Sequence, residues 1–157
     1  MNDDHRFLQQ AIELARDNIA QGGRPFGAVL TRDGATIATG VNDILATNDP
    51  TAHAELSAIR AASRKLGTPD LSGCTVYASG HPCPMCMAAM RLANVRAVIY
   101  AYSNEDGAPF GLSTAAIYAD LARPFAEQSM HIRHLPLQTE GPSELYAAWD
   151  NYRHQQT

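Results

Sequence analysis

The sequence lacks a long apolar run: none approaches the roughly 18 residues needed to span a bilayer. It lacks the cationic start and apolar stretch of a secretory signal, since MNDDHRFLQQAIELARDN is acidic and then amphipathic. A cytoplasmic protein with no membrane partner is the resulting expectation. Basic residues are also scarce. Twelve Lys and Arg stand against sixteen Asp and Glu, for a formal charge of -4. Nucleic-acid binders draw affinity from phosphate contacts, so this balance argues against such a partner. Only three cysteines occur, Cys74, Cys83 and Cys86. An odd, small number excludes a disulfide framework and leaves metal or redox chemistry for the close-spaced pair.

What is present fits one domain: 157 residues, 45% apolar, enough for a core without staples. Apolar residues at three- and four-residue spacing predict a helix over 5–20, stopped at Gly22-Gly23. Two short β-type runs, 27–32 and 36–41, flank Asp33-Gly34 and predict a hairpin. A polar loop at 43–51 leads to an Ala-rich helix over 52–66, ended by Gly67. Strand 74–79 is broken at Gly80-His81-Pro82, and a helix from Pro84 to about Asn94 follows. Strand 95–102, a Gly/Pro loop at 103–112, helix 113–122, a short strand at 130–135 and a closing helix at 142–153 complete the chain. The alternation predicts an α/β fold, with helices on both faces of one mixed sheet.

Two short motifs carry chemistry. Cys83 and Cys86, in Pro82-Cys83-Pro84-Met85-Cys86, share one face of a helix start. Pro84 suits the first helical position. The partial positive charge there lowers thiol pKa values, so the pair is a half-site for zinc. Alone it reads equally well as a redox pair or as two small core residues. His53, in His53-Ala54-Glu55, supplies a third, nitrogen ligand, and Glu55 a proton carrier beside a zinc-bound water. On a helix, positions i and i+2 lie roughly 200° apart. Both reach one pocket only if the helix start itself points into it. Singly, a His at a helix start reads as a cap and a first-turn Glu as a partner for the helix dipole. Together, in this order, they match the zinc-deaminase pattern H-x-E…P-C-x-x-C.

From PFGAVLTRDG through NDPTAHAELSAIR to ASGHPCPMCMAAM the chain resembles the cytidine deaminase superfamily. Within it the chain looks nearest to bacterial guanine deaminases, with tRNA adenosine and fungal-type cytosine deaminases further off. The resemblance implies a three-layer α/β/α fold around a roughly five-stranded sheet and a homodimer. It implies one zinc per chain on His53, Cys83 and Cys86, with Glu55 as proton shuttle. It implies further that Asn42 hydrogen-bonds the substrate, that Phe26 packs on its ring, and that the Ala54 N–H meets a ring carbonyl. The substrate it implies is a free base or related amino-heterocycle, guanine first. Cytosine, a nucleoside (guanosine or cytidine) or an aminotriazine are the alternatives within the same chemistry. A tRNA adenosine deaminase, a non-catalytic zinc module or a redox CxxC protein are the readings outside it.

Three departures stand out. His81 replaces a glutamate often found before the PCxxC proline. Ser113 and Thr114 fall where the guanine-reading family places an acid, which leaves Glu105 and Asp106 as the nearest carboxylates. The tail SELYAAWDNYRHQQT resembles one that closes over a partner's site. It lacks the expected terminal Tyr, although Tyr152 is near.

Overall fold

The computed structural model describes residues 2–137, 141 and 143–157. Helix α1 (Asp3–Ala20) opens the chain. Asn2 caps it by accepting from His5 N at 2.9 Å. Its buried residues Phe7, Ala11, Ala15 and Asn18 recur at helical spacing and form one face. Strands β1 (Gly27–Arg32) and β2 (Ala35–Val41) form the expected hairpin. Asp33 and Gly34 both have positive φ, 51° and 74°. That is the backbone of a two-residue hairpin turn whose twist matches the strands.

A single turn, α2 (Ile44–Thr47), precedes α3 (Ala54–Leu66). Gly67, at φ 68°, closes α3. Then come β3 (Cys74–Gly80), α4 (Pro84–Leu92), β4 (Ala97–Tyr102), a turn α5 (Asn104–Gly107) and α6 (Ala115–Leu121).

The sheet order is β2-β1-β3-β4. β1 is antiparallel to both β2 and β3, whereas β3 and β4 are parallel. Strands β2, β3 and β4 therefore share one direction and β1 alone runs against them. The chain leaves all three at the same edge of the sheet and enters β1 there. One edge thus collects four connections, which is where open α/β sheets place their sites.

Alternation along the strands sorts the core into two faces. Ala28, Leu30 and Val76 pack with Leu56, Ala58 and Ala62 of α3 and with Cys86 and Met90 of α4. Val29 and Tyr77, which pair across β1 and β3, pack on Phe7 and Ala11 of α1. The result is helix, sheet, helix. Two glycines admit the helices closely. A Cβ on Gly40 would lie 2.2 Å from Ala54 O, and one on Gly27 would lie 2.4 Å from Ala11 O. Leu30, buried completely on the α3 face, contributes about 1.5–3 kcal/mol by leaving water.

The contacts divide the chain into two units, Met1–Ala122, which holds the sheet, and Arg123–Thr157. The second has one turn of 3-10 helix at Phe125–Glu127 and helix α7 (Glu144–Gln155). Along α7, Leu145, Trp149 and Tyr152 form an exposed apolar row. The sheet has four strands among the described residues. The short strand expected at 130–135 carries no ladder, and its residues are mostly exposed. Extended backbone becomes a strand only when a neighbour takes its N–H and C=O groups. The closing helix was expected from residue 142, which lies outside the described residues; α7 continues it to Gln155.

Candidate active site

The connection after β2 carries Asn42 and ends in the start of α3. The connection after β3 carries His81 and ends in the start of α4. His53 and Cys83 are the caps of those helices, both with extended backbone, at ψ 155° and 166°. This resolves the difficulty of the His53 and Glu55 spacing. His53 lies outside the helix, so the 3.6-residue rotation does not separate it from Glu55. At α4, Pro84 occupies the first turn and the Cys83 sulfur accepts from Cys86 N at 3.5 Å.

The three ligand atoms converge. His53 Nδ1 is 3.4 Å from Cys83 Sγ and 3.7 Å from Cys86 Sγ, and all three atoms lie within 4.8 Å of one another. A tetrahedral zinc with bonds near 2.3 Å to sulfur and 2.0–2.1 Å to nitrogen needs N···S edges of about 3.5 Å. The residues present fit that ion. One nitrogen and two sulfurs leave a fourth position for water or substrate.

The charges are arranged for a cation. The Cys86 thiol beside Cys83, with the His53 ring behind it, pulls the Cys83 thiol down to about 4. The same contact with Cys83, together with burial, pushes Cys86 up. The hydrogen bond to Cys83 raises His53. The two thiols are thus pushed in opposite directions, and a dication held between them would take both as thiolates.

Glu55 is buried at 6% exposure, and its Oε2 accepts from the Cys86 thiol at 3.4 Å. Burial raises its pKa above the usual carboxylate range. It is a carboxyl group poised to hold or release a proton next to the ligand cluster.

These groups open on a cavity of about 130 Å³. His53, Ala54, Glu55 and Cys83 line one side of it; Phe26, Asn42, His81, Ser113 and Thr114 line the rest, with Arg24 and Leu112. Every site residue expected from the sequence is on it except Cys86, which is buried behind. Phe26 rests its ring on Gly80, where a Cβ would come within 3.0 Å of Cε1. Asn42 is buried, and its Oδ1 accepts from Ile44 N at 3.3 Å. Ala54 is fully buried at the first turn of α3, where backbone N–H groups have no partner within the helix.

Glu105 and Asp106 lie elsewhere. Asp106 completes a capping box, accepting from Ser103 N at 2.8 Å and from Ser103 Oγ at 3.0 Å. It borders an adjoining groove of about 430 Å³, mainly apolar, that shares Phe26, His81 and Leu112 with the small cavity. Glu105 is exposed and lines neither.

Sequence reasoning missed Asn18. Its amide donates to Arg24 O and to Asn42 O, each at 2.8 Å, tying α1 to two of the loops that border the cavity. The signal was there: a polar residue seven positions after Ala11, on the apolar face of α1.

Residues 1–102 match the family model for the cytidine and deoxycytidylate deaminase zinc-binding region. The guanine deaminase of Bacillus subtilis is 42% identical over 147 residues, 93% of each chain. The crystal structure of guanine deaminase from the same organism superposes with a TM-score of 0.86 at 39% identity, over 98% of this chain and 95% of that one. A solved complex with 8-azaguanine matches at TM-score 0.68 and 32% identity, over 71% and 64%. The matched region contains both helix starts that bring His53, Cys83 and Cys86 together, and the chain belongs to the zinc-dependent cytidine and deoxycytidylate deaminase family.

Proposed function

We propose that the chain hydrolyses a ring amino group of a free nucleobase or related amino-heterocycle, guanine first, releasing ammonia. The observation that carries this reading is a buried carboxyl, Glu55, in contact with a His-Cys-Cys cluster on a small cavity. The near full-length likeness to a guanine deaminase puts guanine at the head of the substrates.

In this reading His53, Cys83 and Cys86 hold one zinc. When bound, the zinc polarises a water and lowers its pKa. Glu55 does the proton work. Over the reaction the water oxygen becomes the ring carbonyl and the C–N bond to the amino group breaks. Of the two water protons, one ends on the neighbouring ring nitrogen and the other on the departing amine, and Glu55 carries both. Its raised affinity for a proton, the result of burial, suits a group that must take and return one. Phe26 packs on the ring, Asn42 hydrogen-bonds its edge, and the Ala54 N–H meets a ring carbonyl.

A nucleoside is the second reading, favoured by the larger groove that continues from the cavity past Phe26 and His81. We further propose a cytoplasmic homodimer, with α7 contributing to the interface or the site. The exposed Leu145, Trp149 and Tyr152 support it, because apolar rows of this kind mark contact surfaces. A solution mass of one chain would remove that part.

The test is ammonia release by the zinc-loaded protein from guanine, cytosine, adenine, their nucleosides, aminotriazines and pterins. Turnover of guanine above the rest is the expected result. Metal bound, with no ammonia from any ring, would overturn the reading in favour of a non-catalytic zinc module.

A further inference from the structure

Cys83 sits between two prolines, Pro82 and Pro84. Neither has an N–H, so neither neighbour can anchor the backbone beside this ligand by donating. The Pro82 ring fixes φ. That leaves ψ of Pro82 to decide where its carbonyl points and where Cys83 is carried. Pro82 is completely buried. Its carbonyl has one hydrogen-bond partner among the described residues, the hydroxyl of Tyr118, 36 positions on in α6. Most of α6 is exposed, whereas Tyr118 is half-buried. Its ring meets the His81 ring edge-on, with centroids 5.5 Å apart, and His81 lies 4.7 Å from the Tyr100 ring of β4. Tyr118 lines neither the small cavity nor the adjoining groove.

Resting on the zinc-dependent deaminase reading, we propose that Tyr118 is a positioning residue for the metal ligand Cys83. By holding the Pro82 carbonyl, its hydroxyl fixes ψ of Pro82 and with it the place from which the Cys83 sulfur reaches the cluster. That sulfur is 3.4 Å from His53 Nδ1 and accepts from Cys86 N at 3.5 Å. The edge that a tetrahedral zinc needs exists only while Cys83 stays there. Without the hydroxyl, the metal must draw Cys83 in as it binds, at a cost in affinity. Groups behind the ligands that orient them are worth about 10- to 100-fold in metal affinity or activity. Tyr118 acts through a single backbone carbonyl, so its share falls at the low end, about tenfold.

The experiment uses the whole chain carrying Tyr118→Phe, which keeps the ring against His81 and removes only the hydroxyl. Competition with a chromophoric chelator reads zinc affinity. The thiolate-to-cobalt charge-transfer absorption of the cobalt-loaded protein reads the geometry of the cluster. The zinc dissociation constant should rise about tenfold, and the cobalt bands should shift. For guanine, kcat should fall while KM stays within about twofold of wild type, because Tyr118 does not touch the ring. Tyr100→Phe removes a hydroxyl from the other ring on His81 and should bind zinc as wild type does. A lower melting temperature in Tyr118→Phe, with unaltered zinc affinity and unaltered cobalt bands, would make its role structural only and overturn the proposal, leaving the deaminase reading intact. An equal loss of zinc affinity in Tyr100→Phe would also overturn it, since packing around His81 would then be the cause. Absence of ammonia release from any ring by wild type would overturn the deaminase reading, and the zinc and cobalt measurements would still decide the role of Tyr118.

Discussion

His53 and Cys83 hold the same place in two different helices: each is the residue just before the first turn, and their side chains meet at 3.4 Å. Cap residues have one foot outside the helix, so their side chains aim along the axis rather than around it. Two helix starts at one sheet edge thus turn two sequence-distant residues into neighbours. Cys86, one turn into α4, completes the set.

Removing the metal should loosen the fold as well as the site. A ligand that binds only the folded state at a hundred times its Kd stabilises by about 2.7 kcal/mol. Chelation of the zinc-loaded protein should lower its melting temperature, and Cys86→Ala should lower the zinc content from one per chain to near zero. Elemental analysis together with thermal melts reads both. An unchanged zinc content in Cys86→Ala would remove it from the ligand set.

Glu55→Gln should keep one zinc and lose turnover by roughly 10²–10⁴-fold, the usual worth of a positioned proton carrier. The side chain keeps its volume, so the buried pocket persists. Retention of more than about a tenth of the wild-type rate would assign the proton transfers elsewhere.

Gly40→Ala should act on the site from the other side of α3. The new methyl would meet Ala54 O at 2.2 Å, between His53 and Glu55 in sequence. Overpacking of this kind costs about 1–3 kcal/mol. The expected result is a lower melting temperature together with weaker zinc binding. A melting shift with unaltered zinc affinity would mean that the helix start does not move.

Asn18→Leu leaves the buried Asn42 carbonyl without the Asn18 donor, while Arg24 O keeps the Phe26 N–H at 2.8 Å. A buried group so stranded costs about 1–3 kcal/mol. Chemical denaturation should show that loss, and KM should rise, because both loops border the cavity. Stability equal to wild type would show that water replaces the amide.

Tyr77 gives a pH test that does not involve the metal. Its hydroxyl donates to Asp4 Oδ1 at 2.7 Å, and burial, with that bond behind it, pushes the phenol up to about 12. The folded chain therefore holds the phenolic proton more tightly than the unfolded chain, whose value is near 10. The stabilisation is complete below pH 10 and is lost as pH rises from 10 towards 12. Tyr77→Phe should be the less stable protein at pH 8, and the difference should shrink above pH 10. A constant difference across that window would sink the idea.

Much of this was legible in the chain. Asp33-Gly34 announced the hairpin because its turn demands positive φ, and the apolar periods announced α1, α3 and β3. His53, Glu55, Cys83 and Cys86 were legible because metal chemistry restricts residue types. The direction of β1 against β3 was not legible: periodicity fixes which face a residue takes but not which way its strand runs. Nor was the fate of 130–135, since pairing depends on a neighbour that composition does not reveal. His81 and Thr114 stood out only as departures from the family pattern, because a residue type does not say where its side chain is placed. The fold sets both residues beside the small cavity.

The segment after β4 stands apart from the rest of the cavity. Ser103 and Asp106 lock its first turn, and Asn104 holds Thr114 ten residues on, so residues 103–114 form a self-braced loop. The residues that carry the chemistry, His53, Glu55, Cys83 and Cys86, lie outside it. A scaffold divided in this way can exchange one loop for another and inherit its reaction unchanged, so new substrates are within reach of a few substitutions in a single short segment.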